Sequence, residues 1–432
     1  MANQGLTNPR TCIALLLLVL VTVLAACGGD EAEPAADDGA GGPNAGSASP
    51  SETSKSSAPE VPVVSTSEAP ETPPPDVDAP DDLGAFEVGH VAFEAVDTDR
   101  DGRTIPIDIW YPVDPGTAGD AAAANLPLAP GIGLESEVAV DGAPVSERAD
   151  QPLVVFSHGY EGINTQSLDL METLASHGFV VVSPEHVGNS QSSPGDPFDA
   201  AAANRVPDVS LVIDTMVERN QDPADPFFDR LDENRVGVVG HSFGAMTAIG
   251  TTAGWAGAEP DPRVVAIVPI SGVIDGELQS DERSGPNAGF TSSQLGAVEI
   301  PVLLMGGTED ENVPVENNTI AFEQLTGSPA VANVAITGAT HTHFANVCTF
   351  GELLIGLGIA EEAWPDVGAA DLVEPYGATC SPDVFPIEEA VRLQNLYTVA
   401  FLRRHQLGDE DYAWYLTEDF AETEPAIAFE SR

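Results

Sequence analysis

The sequence predicts an α/β domain on a mostly parallel sheet of about eight strands, with helices on both faces. Three observations carry that expectation. Short, almost wholly apolar runs such as PLVVFSHG (152–159), FVVVSPEH (179–186) and IPVLLMGG (300–307) recur along the chain, as strands buried on both faces do. Helical stretches separate most of them, and that alternation is what a parallel sheet with crossover helices needs. Two β-rich runs joined by turn residues stand ahead of the first apolar run, so an antiparallel pair leads in.

Taken in order, the chain starts with a short polar stretch ending at Arg10. The apolar run CIALLLLVLVTVLAA follows and is closed by small residues. This is a secretory signal pattern over residues 1–26, too short for a membrane span. Cys27 stands where the small-residue cleavage site ends, before Gly28 and Gly29. The stretch resembles a bacterial lipoprotein signal, which implies that Cys27 is lipidated and anchors the protein to the membrane. Residues 27–82 are dominated by Ala, Gly, Pro, Ser, Thr and acids. Such a composition cannot bury enough surface to offset its ordering entropy, so this segment reads as a disordered tether. Its root-mean-square reach is roughly 40 Å. A single large domain is expected over 83–432.

The formal net charge is −54, and only about a dozen of the acids lie in the tether. A domain so acidic is a poor partner for nucleic acid and favours neutral or zwitterionic small molecules over anions. Lys55 is the single lysine. Of the four cysteines, Cys12 leaves with the signal and Cys27 carries lipid. Cys348 and Cys380 then have one possible pairing in an oxidising compartment. Loop entropy assigns such a bridge about 3.7 kcal/mol.

Within the domain, FEVGHVAFEAVD (86–97) and TIPIDIWYPVD (104–114) form the leading hairpin. Residues 116–150 read as a long polar insertion. PLVVFSHG is the first buried strand, and NTQSLDLMETLASHG (164–178) has helical spacing with a glycine stop. FVVVSPEH is the next strand, and ANRVPDVSLVIDTMVERN (203–220) reads as a helix after its proline. RVGVVGHS (235–242), RVVAIVPIS (263–271), IPVLLMGG and NVAITG (333–338) are further strands. IEEAVRLQNLYTVAFLRRHQLG (387–408) is a long amphipathic helix.

The chemistry centres on Gly240-His241-Ser242-Phe243-Gly244. A bare G-x-S-x-G arises by chance on the order of 0.1–0.3 times in a chain this long. Here an apolar strand runs in and a small-residue helix runs out, the setting of a nucleophile elbow. A serine hydroxyl needs a base to take its proton, and the base needs a carboxylate to orient it. In such folds the chain order is serine, acid, histidine. Asp310 closes a turn after the strand ending at Gly307, where α/β sheets build their sites. Asp275, after the preceding strand, is the competing acid. The stretch GATHTHF (338–344) follows the next strand and offers His341 and His343 as base. His341 lies directly after the turn and is preferred; His343 falls to a supporting or pocket-edge role. A His-x-His pair can also ligate zinc, but the further ligands in a suitable cluster are missing, so no metal and no cofactor are expected. The oxyanion needs two preorganised N–H donors. The amide of Phe243, after the nucleophile, is one. The amide of Tyr160, in the loop after VVFSHG, is the other.

The segments FSHGYEGINTQSLDLMETLASHGFVVVSPEH, GHSFGA and GATHTHF, together with IPIDIWYP, resemble the α/β-hydrolase branch of platelet-activating factor acetylhydrolases and predicted dienelactone hydrolases. The likeness covers roughly 83–112 and 152–345. It implies an α/β-hydrolase fold and metal-free hydrolysis of small acyl esters or lipids by a Ser-Asp-His triad. By position it carries the nucleophile onto Ser242 and the base onto His341, three residues before Phe344. The chain departs from the acetylhydrolases twice. Ala245 stands where they usually have a second glycine, and their acid follows the strand that here ends in VPISG. The placement of Asp310 resembles dienelactone hydrolases and cutinases instead. Residues 346–385 are expected as an insertion near the site mouth. Cutinase-like polyester hydrolases also carry a disulfide close after their histidine, so a polymer-binding groove is the alternative. A third alternative is a non-catalytic surface lipoprotein that binds.

Overall fold

Alternate residues of each central strand point to opposite sides of the sheet, and both sides are covered. Leu153 and Val155 face one apolar layer while Val154 and Phe156 face the other, the period of two that a pleated strand imposes. The computed structural model describes residues 77–129, 132–278, 285–367 and 369–432. The lipidation residue Cys27, the signal segment and most of the tether lie outside the described residues. Residues 77–82, read from composition as the end of the tether, are held on the domain. Tyr412 donates to the carbonyl of Asp78, Arg392 to the carboxylate of Asp81, and His177 to the carbonyl of Asp82.

Among the described residues the sheet has eleven strands, in the order β11-β10-β9-β8-β7-β5-β6-β2-β1-β4-β3. The hairpin is β1 (Glu87–Asp97) and β2 (Arg103–Val113), paired antiparallel in register. The segment read as a polar insertion instead adds β3 (Ala123–Ala129) and β4 (Ile132–Asp141) at one edge. The parallel heart is β5 (Gln151–Ser157), β6 (Val180–Pro184), β7 (Leu231–His241), β8 (Val264–Ile270), β9 (Val302–Gly307) and β10 (Val331–Ile336). The last strand, β11 (Ile427–Ser431), pairs antiparallel with β10 and closes the other edge. The expected count of eight was short by these three edge strands.

Among the described residues the α-helices are α1 (Leu168–Ser176), α2 (Phe198–Gln221), α3 (Phe243–Ala253), α4 (Ser292–Gly296), α5 (Glu316–Gln324), α6 (Val347–Gly356), α7 (Trp364–Val367), α8 (Ala370–Cys380), α9 (Ile387–Leu407) and the short α10 (Glu418–Ala421). Helices α2, α3 and α5 cover one face, and α1 and α9 the other. Helix α9 presents Leu393, Leu396, Tyr397, Ala400 and Phe401 to the sheet, the spacing of a single helical face. It stops at Gly408, whose φ of 72° is the left-handed C-terminal conformation. Helix α2 differs from the sequence expectation. It begins at Phe198 and runs on through Pro207 rather than starting after it. Burial of Ala201, Ala202, Val206 and Val209 against the sheet outweighs the one backbone hydrogen bond the proline removes.

Candidate active site

The site stands at the C-terminal ends of β5, β7, β9 and β10. Strand β7 delivers Ser242 at a sharp turn with φ 59° and ψ −118°, a conformation that costs a non-glycine residue energy. The elbow survives because its neighbours leave no alternative. A Cβ on Gly244 would fall 1.8 Å from the carbonyl oxygen of Ser157, and one on Gly240 would fall 2.1 Å from that of Gly244. Only glycine permits β7, α3 and the end of β5 to approach so closely. Ala245, the departure from the acetylhydrolase pattern, is matched by a glycine opposite: a Cβ on Gly272 would come within 3.0 Å of the Ala245 methyl. Phe243 opens α3, so its amide lies among the first-turn N–H groups that have no intrahelical acceptor.

Strands β9 and β10 bring Asp310 and His341 together. His341 Nδ1 donates to Asp310 Oδ2 at 2.8 Å. The other carboxylate oxygen of Asp310 accepts from the amides of Asn312 and Val313 at 3.0 and 2.7 Å. Burial alone would raise the Asp310 pKa, but the facing His341 and these donors hold it below the ordinary carboxylate value. Asp275 is exposed, and its backbone is tied to Asn317 instead. The two acids that the sequence left in competition are thus separated by the geometry.

His341 is joined to the elbow through His241, the variable residue of the motif. Their rings lie 4.6 Å apart, and His241 Nε2 donates to the His341 carbonyl at 2.9 Å. His241 Nδ1 accepts from Gln166 Nε2 at 2.7 Å, and Gln166 Oε1 accepts from the Gly159 amide at 2.9 Å. This line fixes the tautomer of His241, and burial with His341 alongside pulls its pKa down to about 3. It also ties together the loops that carry Tyr160, Ser242 and His341. Sequence reasoning missed Gln166 and His241, because a glutamine in a loop and a histidine in a motif's free position look interchangeable.

His343 is fully buried. It accepts from the Thr340 amide through Nδ1 at 2.9 Å and donates from Nε2 to the Phe385 carbonyl at 2.8 Å. Both ring nitrogens are therefore committed to the backbone, and the ring clamps the loop that presents His341. Its pKa is lowered by burial. The insertion that follows is α6, α7 and α8, closed by the disulfide between Cys348 and Cys380. It rests on the same loop, with Thr379 hydrogen-bonded to Thr342. Among the described residues no cluster of three or more His, Cys, Asp or Glu is placed to hold a metal.

The loop after β5, expected from the sequence to supply an oxyanion donor, lies against Ser242. A Cβ on Gly159 would sit 3.5 Å from that of Ser242. The Tyr160 ring stacks edge-on against Phe243 at 5.4 Å and faces Phe198 at 6.4 Å. These three aromatics form an apolar wall beside the elbow.

The chain also contains a second Asp-His-Ser line. Asp208 Oδ2 accepts from His186 Nδ1 at 3.0 Å, and His186 Nε2 lies 3.0 Å from Ser157 Oγ. All three are buried to 1 % exposure or less. Burial pulls the His186 pKa down to about 4. Ser157 is closed to solvent whereas Ser242 is half-buried, so exposure separates the two serines.

Comparison with known proteins places this geometry in context. A chlorophyllase family profile matches residues 142–321. Cutinase 1 of Thermobifida cellulosilytica is 25% identical over 189 residues, 44% of this chain and 59% of that protein. A cutinase of Thermobifida fusca (strain YX) is 25% identical over 189 residues, 44% of this chain and 52% of that protein. The match thus spans little more than half the length of these cutinases. A ferulic acid esterase from Streptomyces cinnamoneus superposes with a TM-score of 0.54 at 21% identity, covering 80% of this chain and 96% of that one. With the parallel sheet and the elbow after β7, the fold is that of the α/β-hydrolases.

Proposed function

We propose that the chain is a serine carboxylic ester hydrolase working through an acyl-enzyme. The observation that carries this reading is the Asp310–His341 hydrogen bond of 2.8 Å set against a strained Ser242 elbow. Ser242 Oγ attacks the ester carbonyl while His341 takes the hydroxyl proton. Asp310 holds the imidazole so that Nδ1 carries a proton and Nε2 is the base. The amides of Tyr160 and Phe243 receive the negative oxygen. His341 then protonates the leaving alcohol, and water, deprotonated by His341, releases the acid.

Short-acyl esters or lipids, as in the platelet-activating factor acetylhydrolases, are the substrates we infer from the sequence resemblance. The alignments to cutinases support a second reading, a polyester substrate. Wild-type protein should be labelled by a fluorophosphonate probe. Its activity on p-nitrophenyl esters of rising chain length, an acetyl-phospholipid and a polyester film should then separate the readings. A peak at acetyl with phospholipid turnover supports the first, and film erosion the second. Absence of labelling and of turnover on every substrate would sink the enzyme reading and leave a binding lipoprotein.

We further propose that the protein is a bacterial surface lipoprotein anchored through Cys27, as the signal pattern supports. Cys27→Ser should move it from the membrane fraction to the soluble fraction. An unchanged distribution would rule out that anchor.

A further inference from the structure

Behind the oxyanion loop lies a buried cation that the reaction scheme above does not use. Arg205, on α2, has no exposed surface. Its Nη1 donates to the His158 carbonyl at 2.5 Å and its Nη2 to the Gly159 carbonyl at 2.8 Å. Nη2 also reaches Asn189 Oδ1 at 2.5 Å, and Nη1 lies 3.3 Å from Ser157 Oγ. The guanidinium stands 4.8 Å from the centre of the Phe243 ring. One side chain therefore touches the peptide group that carries the Tyr160 amide, through the Gly159 carbonyl, and the ring of Phe243, whose amide is the other donor assigned to the oxyanion.

The peptide geometry gives these contacts a direction. No peptide bond among the described residues is cis. In a trans peptide the carbonyl and the following N–H point opposite ways. The Gly159 carbonyl turns inward to Arg205, and His158 Nδ1 and the Gly162 amide hold it there too, at 2.8 and 3.2 Å. The Tyr160 N–H on the same peptide must then point away from the guanidinium. Nothing else in this cluster is a cation whose planar fork can grip two successive carbonyls at once. Burial lowers the Arg205 pKa to about 9, which leaves it charged at neutral pH.

We infer that Arg205 is the positioning residue of the oxyanion hole: its guanidinium grips the His158 and Gly159 carbonyls and so aims the Tyr160 amide at the developing oxyanion. This rests on the ester hydrolase reading and adds to it a residue that never touches substrate. Isolated donors lose worth steeply with misalignment, and one lost oxyanion donor costs about 10²–10³ in kcat.

The test compares Arg205→Lys and Arg205→Gln with wild type on an ester and on its thiono analogue, in which sulfur replaces the carbonyl oxygen. A well-aimed amide stabilises O⁻ far better than S⁻, so the ratio of oxygen to sulfur rates reports the hole itself. Folded variants, judged by circular dichroism and melting, should lose about tenfold to 10³-fold in kcat. KM should stay within about threefold, and the oxygen-to-sulfur ratio should collapse towards its value in solution. A folded variant with wild-type ratio, or with its loss in KM alone, overturns the inference. If neither variant folds, Asn189→Ala decides, because it removes one anchor of Nη2 and leaves the guanidinium in place. Its ratio should fall by about two- to fivefold, and an unchanged ratio overturns the inference. Fluorophosphonate labelling of the wild type keeps the two failures apart. No labelling and no turnover sinks the hydrolase reading, whereas labelling with an unmoved ratio sinks only the role of Arg205.

Discussion

Ser242→Ala is expected to abolish ester hydrolysis, with kcat falling by about 10⁴–10⁶ while the fold is retained. The size follows from the chemistry: without the hydroxyl no acyl-enzyme forms, and only binding and the oxyanion donors remain to assist water. His341→Ala should fall as far. The double variant should be no worse than either single one, because nucleophile and base act as a unit. His343→Ala should differ in kind. It leaves the Phe385 carbonyl and the Thr340 amide without their ring partners, which costs roughly 1–3 kcal/mol of stability for each buried orphan. Turnover should drop only by about tenfold through a loosened loop. Rates and melting temperatures on the same three proteins check this. Equal losses in His341→Ala and His343→Ala would break the assignment of the base.

Asp310→Asn is the second large effect. The amide keeps the shape of the carboxylate but cannot hold His341 in the tautomer with Nδ1 protonated, nor balance the imidazolium. A loss of about 10³–10⁴ in kcat is expected. The loss should show in kcat far more than in KM. Asp275→Asn, at an exposed position after β8, should leave activity within about twofold of wild type. The reverse pattern would move the acid to β8.

The proposed reacting groups are legible in the sequence because each is bound to a local signature. Ser242 sits in a glycine-bracketed motif between an apolar strand and a small-residue helix. Asp310 and His341 each follow an apolar strand in the expected order. Their supports have no such mark. Arg205 and Asp208 look like ordinary polar residues of a helix. Yet Arg205 falls on the stripe of Ala201, Ala202, Val209, Val212 and Met216, which is wholly buried. A charge on an apolar stripe must have polar partners, and that was the available clue. The same limit applies to the fold. Strands β5 to β10 announce themselves because both faces are buried. Strand β4, in IGLESEVAVD, turns Glu135, Glu137 and Asp141 to a face that water reaches, and β11 is a five-residue edge strand. Pro207 misplaced the start of α2 because a proline's local cost was set against tertiary burial that the sequence does not display.

The loop bearing His341 is gripped where the insertion begins and again where it ends. At the start, the Asn346 amide donates to the Gln166 carbonyl and its side chain to that of Thr165. At the finish, the Phe385 carbonyl receives His343. The stretch between these two anchors is bridged internally by Cys348 and Cys380 and touches the loop once more, through Thr379 and Thr342. On the ester hydrolase reading, exchanging this segment between its two anchors is expected to shift the range of acyl groups accepted while leaving His341 in place.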